Sequence, residues 1–326
     1  MGIRDTSETR AVTLVDIPVV MRLSEGGVVL NSEVCFTQDA SNSPSNLFTL
    51  LWPIRGMHTL VTRSEKRHVV GQFQVYHDAP CAHVAYIAPA LDEGEDDTEW
   101  LHVLDAMAVE AGRRGAHMLS AEVDENAPLF KTMRQASYAI YARQEIWRRD
   151  PEDSVAAAAV ELSAPVDSDL MGIHALFGNI VPRLMHPITD LPDVGEGLVY
   201  RKQERVEGYI GVTEGKAGVY LTPHLHPDVF SDAPAVLTAA IQRIERCQKV
   251  PVYVRVRRYQ DWLDDALEDL GFHIHARQAV MVKHITAGVR SAAFAPLRHT
   301  LETVPNTVKP PRSGVTDLVT RHKRQE

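Results

Sequence analysis

The sequence predicts an α/β protein of α+β mixed-sheet type, built as two tandem lobes, each a mixed, mostly antiparallel sheet flanked by helices. Two observations carry this. Tyr138-Ala-Ile-Tyr-Ala-Arg-Gln-Glu-Ile-Trp147 resembles Phe272-His-Ile-His-Ala-Arg-Gln-Ala-Val-Met281, with four of the five residues Ile140–Gln144 recurring at an offset of 134. The same offset sets Ala85-Tyr-Ile-Ala-Pro-Ala-Leu91 on Val219-Tyr-Leu-Thr-Pro-His-Leu225, and nine of the sixty positions from 85 to 144 are identical to their mates. Two local matches at one offset point to a duplicated unit.

Each copy reads as the same series. In the first, His58–Thr62 and Val69–Tyr76 are strands joined by the polar turn Arg63–Arg67, and Ala82–Ile87 is a third strand. Thr98–Arg114 is a helix with Leu101, Leu104, Met107 and Ala108 on one face and Gly115 beyond its end. His117–Val123 is a strand, Ala127–Gln135 a helix, and Tyr138–Trp147 a closing strand. In the second, Leu198–Gln203, Val206–Val212 and Gly218–Thr222 are strands and Pro234–Cys247 a helix. Pro251–Val256 (strand), Trp262–Leu270 (helix before Gly271) and Phe272–Lys283 (strand) complete it. Helical lead-ins fall near Leu14–Leu23 and Ser168–Leu184. The expected division is an N-terminal lobe at 1–150, a C-terminal lobe at 151–287 entered through Pro151–Ala159, and a basic tail at 288–326.

Composition narrows the function. The chain has 326 residues, 44% hydrophobic, and a net charge of −9, which argues against a protein held to nucleic acid by phosphate neutralisation. It contains no apolar run of the roughly 18 residues that a spanning helix needs. The first residues lack an export signal, although Gly2 and Thr6 match the short myristoylation pattern. Cys35, Cys81 and Cys247 are too few for a disulfide framework, so a cytoplasmic setting is expected. Residues 288–326 carry seven Lys/Arg against three Asp/Glu and read as a solvated terminus.

The element order, with a strand ending in apolar-x-Pro, a helix, a parallel strand, and Glu268-Asp-Leu-Gly-Phe272 closing the last helix, resembles the GNAT superfamily of acyl-CoA-dependent N-acyltransferases, in tandem, over roughly residues 10–285. The resemblance implies acetyl-CoA as co-substrate and an amine of a small molecule or peptide as acceptor. It implies a pair of parallel strands that splay apart, so that unpaired backbone groups receive the pantetheine arm. The next helix then points its N-terminus at the pyrophosphate. On this pattern the cofactor would lie along Ile87 and Ala88 in copy one. In copy two it would lie along Leu221, Thr222, His224, His226, Ser231 and Asp232.

Both copies depart from the family. Its glycine-rich pyrophosphate loop is replaced in copy one by Ala90-Leu-Asp-Glu-Gly-Glu-Asp-Asp-Thr-Glu99, whose six carboxylates stabilise a helix start but repel phosphate. Copy two has His224-Leu-His-Pro-Asp-Val-Phe-Ser-Asp-Ala-Pro234, with no glycine between Gly218 and Gly271, and is the better candidate to keep a CoA. The family tyrosine four residues before the glycine of the Leu-Gly-Phe step is Met133 in one copy and Leu267 in the other. Tyr86 and Tyr220, mates in the repeat, are candidate proton donors in its place, or else cross-strand packing residues. Glu122 is a candidate base, or else a solvent-facing strand residue.

Other motifs read as ordinary structure. Gly211-Val-Thr-Glu-Gly-Lys216 approaches a phosphate-binding loop but has three residues between its glycines where four are required, so a β-turn is expected. His224/His226 and His273/His275 lack an acidic ligand at a recognisable spacing, and no metal site is expected. Two functions remain: an N-acyltransferase, or a degenerate pair that keeps the fold as a ligand-binding or protein-interaction module. A homo-oligomer through an exposed sheet edge fits either.

Overall fold

A computed structural model describes residues 8–24, 26–38, 56–65, 67–76, 79–151, 158–189 and 197–285. Gly2 and Thr6, most of the expected linker and the basic tail lie outside the described residues.

Alternating apolar strands and 3.6-period helices appear where the sequence calls for them. The first copy runs β1 (Glu8–Ala11), a 3-10 turn at Leu14–Asp16 leading into α1 (Ile17–Ser24), β2 (Val28–Val29), α2 (Ser32–Thr37), β3 (Met57–Arg63), β4 (His68–Val75) and β5 (Cys81–Ala88). It continues with α3 (Thr98–Arg113), β6 (Met118–Asp124), α4 (Pro128–Gln135) and β7 (Ala139–Arg149). The second runs β8 (Leu162–Ser163), a 3-10 turn at Asp167–Asp169 leading into α5 (Leu170–Ile180), β9 (Leu198–Lys202), β10 (Arg205–Glu214), β11 (Val219–Leu225) and α6 (Ala233–Arg243). After it come β12 (Val252–Arg257), a 3-10 stretch at Arg258–Leu263, α7 (Asp264–Asp269) and β13 (His273–His284). The sequence missed β1, β2, α2 and β8, all short. It also placed the buried face of α3 slightly off: Trp100, Val103, Leu104, Met107 and Ala111 are fully buried, and Leu101 only partly.

The described strands form one sheet in the order β1-β3-β4-β5-β6-β13-β7-β12-β11-β10-β9-β8. Each copy gives its last strand to the other. β13 pairs with β6 of the first copy, and β7 pairs with β12 of the second. β7 and β13 pair antiparallel with Gln144 opposite Gln278, so repeat mates face one another on a local two-fold axis. Their side chains hydrogen-bond at 3.1 Å. One core lies around α3 and α4 under the first copy, and a second around α6 and α7 under the other.

The parallel pairs correct the sequence repeat. β5 meets β6 with Cys81 opposite Met118, and β11 meets β12 with Val219 opposite Val252. Met118 and Val252 are mates at offset 134, so the mate of Val219 is Cys81, at offset 138, and not Ala85. The crossover from β11 to β12 is therefore four residues shorter than the crossover from β5 to β6. Tyr86 has His224 as its mate and Tyr220 has Ala82, so the two tyrosines are not repeats of one another. The helix endings do repeat. Gly271 takes φ +79° and its mate Ser137 takes φ +67°, the left-handed turn that lets Phe272 N–H reach Leu267 O at 2.9 Å and Tyr138 N–H reach Met133 O at 3.0 Å. The segment that approaches a phosphate loop is β10 followed by a turn closed by Gly215 N–H on Gly218 O.

Both lead-ins are anchored by a buried aspartate. Asp16 accepts from Thr13 N–H at 2.8 Å and from two nitrogens of Arg10 at 2.6 and 2.9 Å, and pairs with Arg63 on β3. Asp169 accepts from Val166 N–H at 2.8 Å and from Arg201 on β9, the structural mate of Arg63. The arginine bonds hold both carboxyls below the usual carboxylate range, against the opposing pull of burial. A carboxyl depressed in the fold stabilises it fully above its ordinary pKa, about 4, and that contribution is lost as pH falls through the depressed value. Asp16→Asn and Asp169→Asn should each lower stability at neutral pH and flatten its fall below about pH 4, as read by denaturant unfolding across pH. An unchanged acid slope would show that these aspartates do not anchor the lead-ins.

Candidate functional site

A parallel pair that separates leaves carbonyls and N–H groups without strand partners, and those groups must be satisfied if buried. In lobe one β5 and β6 part after His83 and Ser120. The chain fills the gap with its own segment between α1 and α2. Val28 and Val29 of β2 pair with Ile87 and Tyr86, Leu30 N–H donates to Ala85 O at 2.9 Å, and Glu122 N–H donates to Leu30 O at 2.9 Å. Tyr86 is 2% exposed, and a Cβ at Gly27 would lie 1.8 Å from its hydroxyl oxygen, so only glycine passes there. Burial raises the Tyr86 pKa, partly offset by its contact with the Gly27 backbone. Ile87 and Ala88, expected along a cofactor arm, are buried beneath this internal strand.

The acidic loop of lobe one binds itself. Glu95 accepts from Asp92 N–H at 3.0 Å and pairs with Arg67. Asp96 accepts from Thr98 N–H and hydroxyl at 3.2 and 2.6 Å at the start of α3, and the Asp97 carboxylate takes the Thr132 hydroxyl at 2.8 Å.

Lobe two opens at the equivalent point. β11 and β12 part after Leu221 and Val254. The carbonyl two residues on belongs to Pro223, the mate of Ala85. It accepts from Gln260 Nε2 at 2.6 Å, and Gln260 Oε1 accepts from Arg257 N–H at 3.2 Å. One buried side-chain amide thus does in lobe two what a strand does in lobe one. At the start of α6, Asp232 accepts from the Tyr200 hydroxyl at 2.8 Å and from Lys202 at 2.9 Å. The Ser231 hydroxyl lies 3.4 Å from Asp232, and on the preceding turn His226 Nδ1 accepts from Asp228 N–H at 3.3 Å.

The mouth of the lobe-two splay lies in a cavity of about 700 Å³ shared by the two lobes. From lobe two it takes Tyr220, Thr222, His224, Arg255 and Arg257, and from lobe one His83, Ser120, Glu33 and Glu122. Glu122 is therefore not the solvent-facing strand residue expected as its alternative. It accepts from Ser32 N–H at 2.9 Å, and although burial alone would raise its pKa, Arg255, the bonds from Ser32 and Arg257 bring it below the ordinary value. Tyr220 is 1% exposed, its hydroxyl has no hydrogen-bond partner among the described residues, and burial followed by Glu122 pushes its pKa up. His224 stacks on Phe177 at 4.2 Å between ring centroids. Its Nδ1 lies 3.0 Å from Thr222 O, a contact that requires the proton on Nδ1 and leaves Nε2 as acceptor. Burial, then Arg255 and Arg257, push its pKa down to about 3.

Of the residues picked from sequence, Tyr220, Glu122, Thr222 and His224 share this cavity. Leu221 is buried under the sheet, and Tyr86, Ile87 and Ala88 line the closed slot of lobe one. Sequence reasoning missed Arg255, Arg257 and Gln260. Alternate arginines in Val252-Tyr-Val-Arg-Val-Arg257, a charged face on an otherwise apolar strand, were the available signal.

No protein-family model matches the sequence, and no curated protein matches it. Solved structures share its fold. One is a GCN5-related N-acetyltransferase from Sphaerobacter thermophilus, 12% identical, with a TM-score of 0.56 over 87% of this chain and 97% of that one. Another is a tandem GNAT protein from the clavulanic acid biosynthesis pathway, 15% identical, with a TM-score of 0.51 over 86% of this chain and 99% of that one. The chain has the tandem GNAT fold.

A buried hydroxyl without a partner costs about 1–3 kcal/mol. Tyr220→Phe should therefore leave stability unchanged or raise it by up to about that amount, measured by denaturant unfolding. A loss above about 1 kcal/mol would mean that the hydroxyl is bonded in solution.

Proposed function

We propose that the chain is an N-acyltransferase in which lobe two takes acetyl-CoA or another acyl-CoA and the interlobe cavity holds the amine of a small molecule or peptide. The observation that carries this is the buried, unpartnered hydroxyl of Tyr220 beside the lobe-two splay, in one cavity with Glu122 and Arg255. Lobe one does not suit an acyl-CoA, because β2 and the self-bonded acidic loop take up its slot and helix start. Lobe two suits one if Gln260 gives way: the Pro223 carbonyl then accepts from the pantetheine arm along Leu221 and Thr222, and Lys202, Ser231 and His226 hold the phosphate end in competition with Asp232. When bound, an acyl-CoA supplies an activated thioester.

The protein's own groups supply the rest. Tyr220 keeps its proton at neutral pH and is a donor in search of an acceptor. Glu122, held ionised, orients an ammonium more readily than it removes a proton from one, since a general base works best with a pKa near the working pH. His224 is neutral and presents Nε2 to the cavity. The absence of a membrane-spanning helix among the described residues and the use of acyl-CoA fit a cytoplasmic enzyme.

A second reading, a binding module without turnover, is favoured by the closure of both slots. Thermal unfolding with acetyl-CoA separates the two. A ligand at 100 times its Kd adds about 2.7 kcal/mol. Stabilisation of the wild type, larger in Gln260→Ala, supports acyl transfer by lobe two. No stabilisation of either protein replaces it with the binding module.

A further inference from the structure

Acyl transfer by lobe two leaves the acceptor's chemistry open, and an acceptor assigned from the cavity rests on that reading. The cavity is lined by two guanidinium groups, Arg255 and Arg257, and two carboxylates, Glu33 and Glu122. Arg257 is 3% exposed; it donates to the Thr189 hydroxyl at 2.9 Å, lies beside Tyr259, and has no partner for its Nε among the described residues. Arg255 makes no hydrogen bond or ion pair with any of the described residues. Glu122 and Arg255 feel one another's charge, yet no ion pair joins them. A buried charge left unmatched is costly, and opposite charges separated across a cavity are matched by a molecule that carries both signs. The charges of the lining cancel, which suits a net-neutral ligand better than a phosphate dianion.

We propose that the acceptor is a free amino acid, bound as a zwitterion with its carboxylate on Arg255 and Arg257 and its ammonium toward Glu122. Tyr220 and His224 also line the cavity, and Glu33, bonded by the Thr213 hydroxyl at 2.7 Å, lies at the rim. A guanidinium pair recognises the planar carboxylate through paired N–H donors, which an ester or amide does not match.

The test is isothermal titration of the full chain with the protein amino acids, each beside its methyl ester and the matching acid without an amino group. At least one amino acid should bind, and both its controls should bind at least about tenfold more weakly. Arg255→Gln should lose about tenfold or more, and Arg255→Lys should regain part of it. Melting curves of both variants report whether they fold, and Tyr220→Phe, which should weaken binding without loss of stability, serves if they do not. The inference is overturned if no amino acid binds, if the ester matches the acid, or if inorganic phosphate binds more tightly than any of them. Acetyl-CoA stabilisation without amino-acid binding sinks this inference alone; amino-acid binding without acetyl-CoA stabilisation sinks acyl transfer and keeps the cavity's ligand.

Discussion

The requirement that buried backbone groups find hydrogen-bond partners shapes this molecule more than any side chain does. Two parallel strand pairs separate partway along their length, and each leaves a carbonyl facing a gap. Lobe one meets the demand with a backbone strand, lobe two with the amide of Gln260. The solutions differ in how firmly they hold. β2 is fixed between α1 and α2 and packs Leu30 into the core, whereas Gln260 is one side chain making two bonds. The asymmetry gives the lobes different capacities although they descend from one pattern.

Much of the fold was legible in the sequence because long periodic segments dominate it. Strands β3 to β7 and β9 to β13 and their helices fall within a few residues of where alternation and helical spacing put them. What was not legible depends on partners distant in sequence. β2 has two residues, and nothing in Val28-Val29 announces that Tyr86 and Ile87 await it. The offset of 134 was right from β6 onward and wrong on β11, because the motif Tyr-x-x-Pro recurs by coincidence four residues out of register. That error made Tyr86 and Tyr220 look like a repeated pair.

The site was read in part for the same reason. Tyr220, Glu122 and His224 were noticed one at a time, as residues of suitable type on candidate strands. That they meet is a consequence of the sheet, which turns β6 of one lobe and β11 of the other toward a shared cavity. Arg255 and Arg257 carry the charge of that cavity, and their alternation on β12 was visible, but only the fold says which face of the strand is covered and which lines the opening. Gln260 sits in a 3-10 stretch with no periodicity to mark it.

The exchange of last strands has a bearing on how the chain is made. β6 borders β13, whose residues run from His273 to His284, and β12 borders β7 from the first copy. A nascent chain leaving the ribosome at about 5–20 residues per second presents the first half well before its neighbouring strand exists. The outer edge of β6 must wait, open to solvent and to chaperones, until nearly the whole described length has been translated. Duplication here did not yield two folding units in series; it made the early half dependent on the late one.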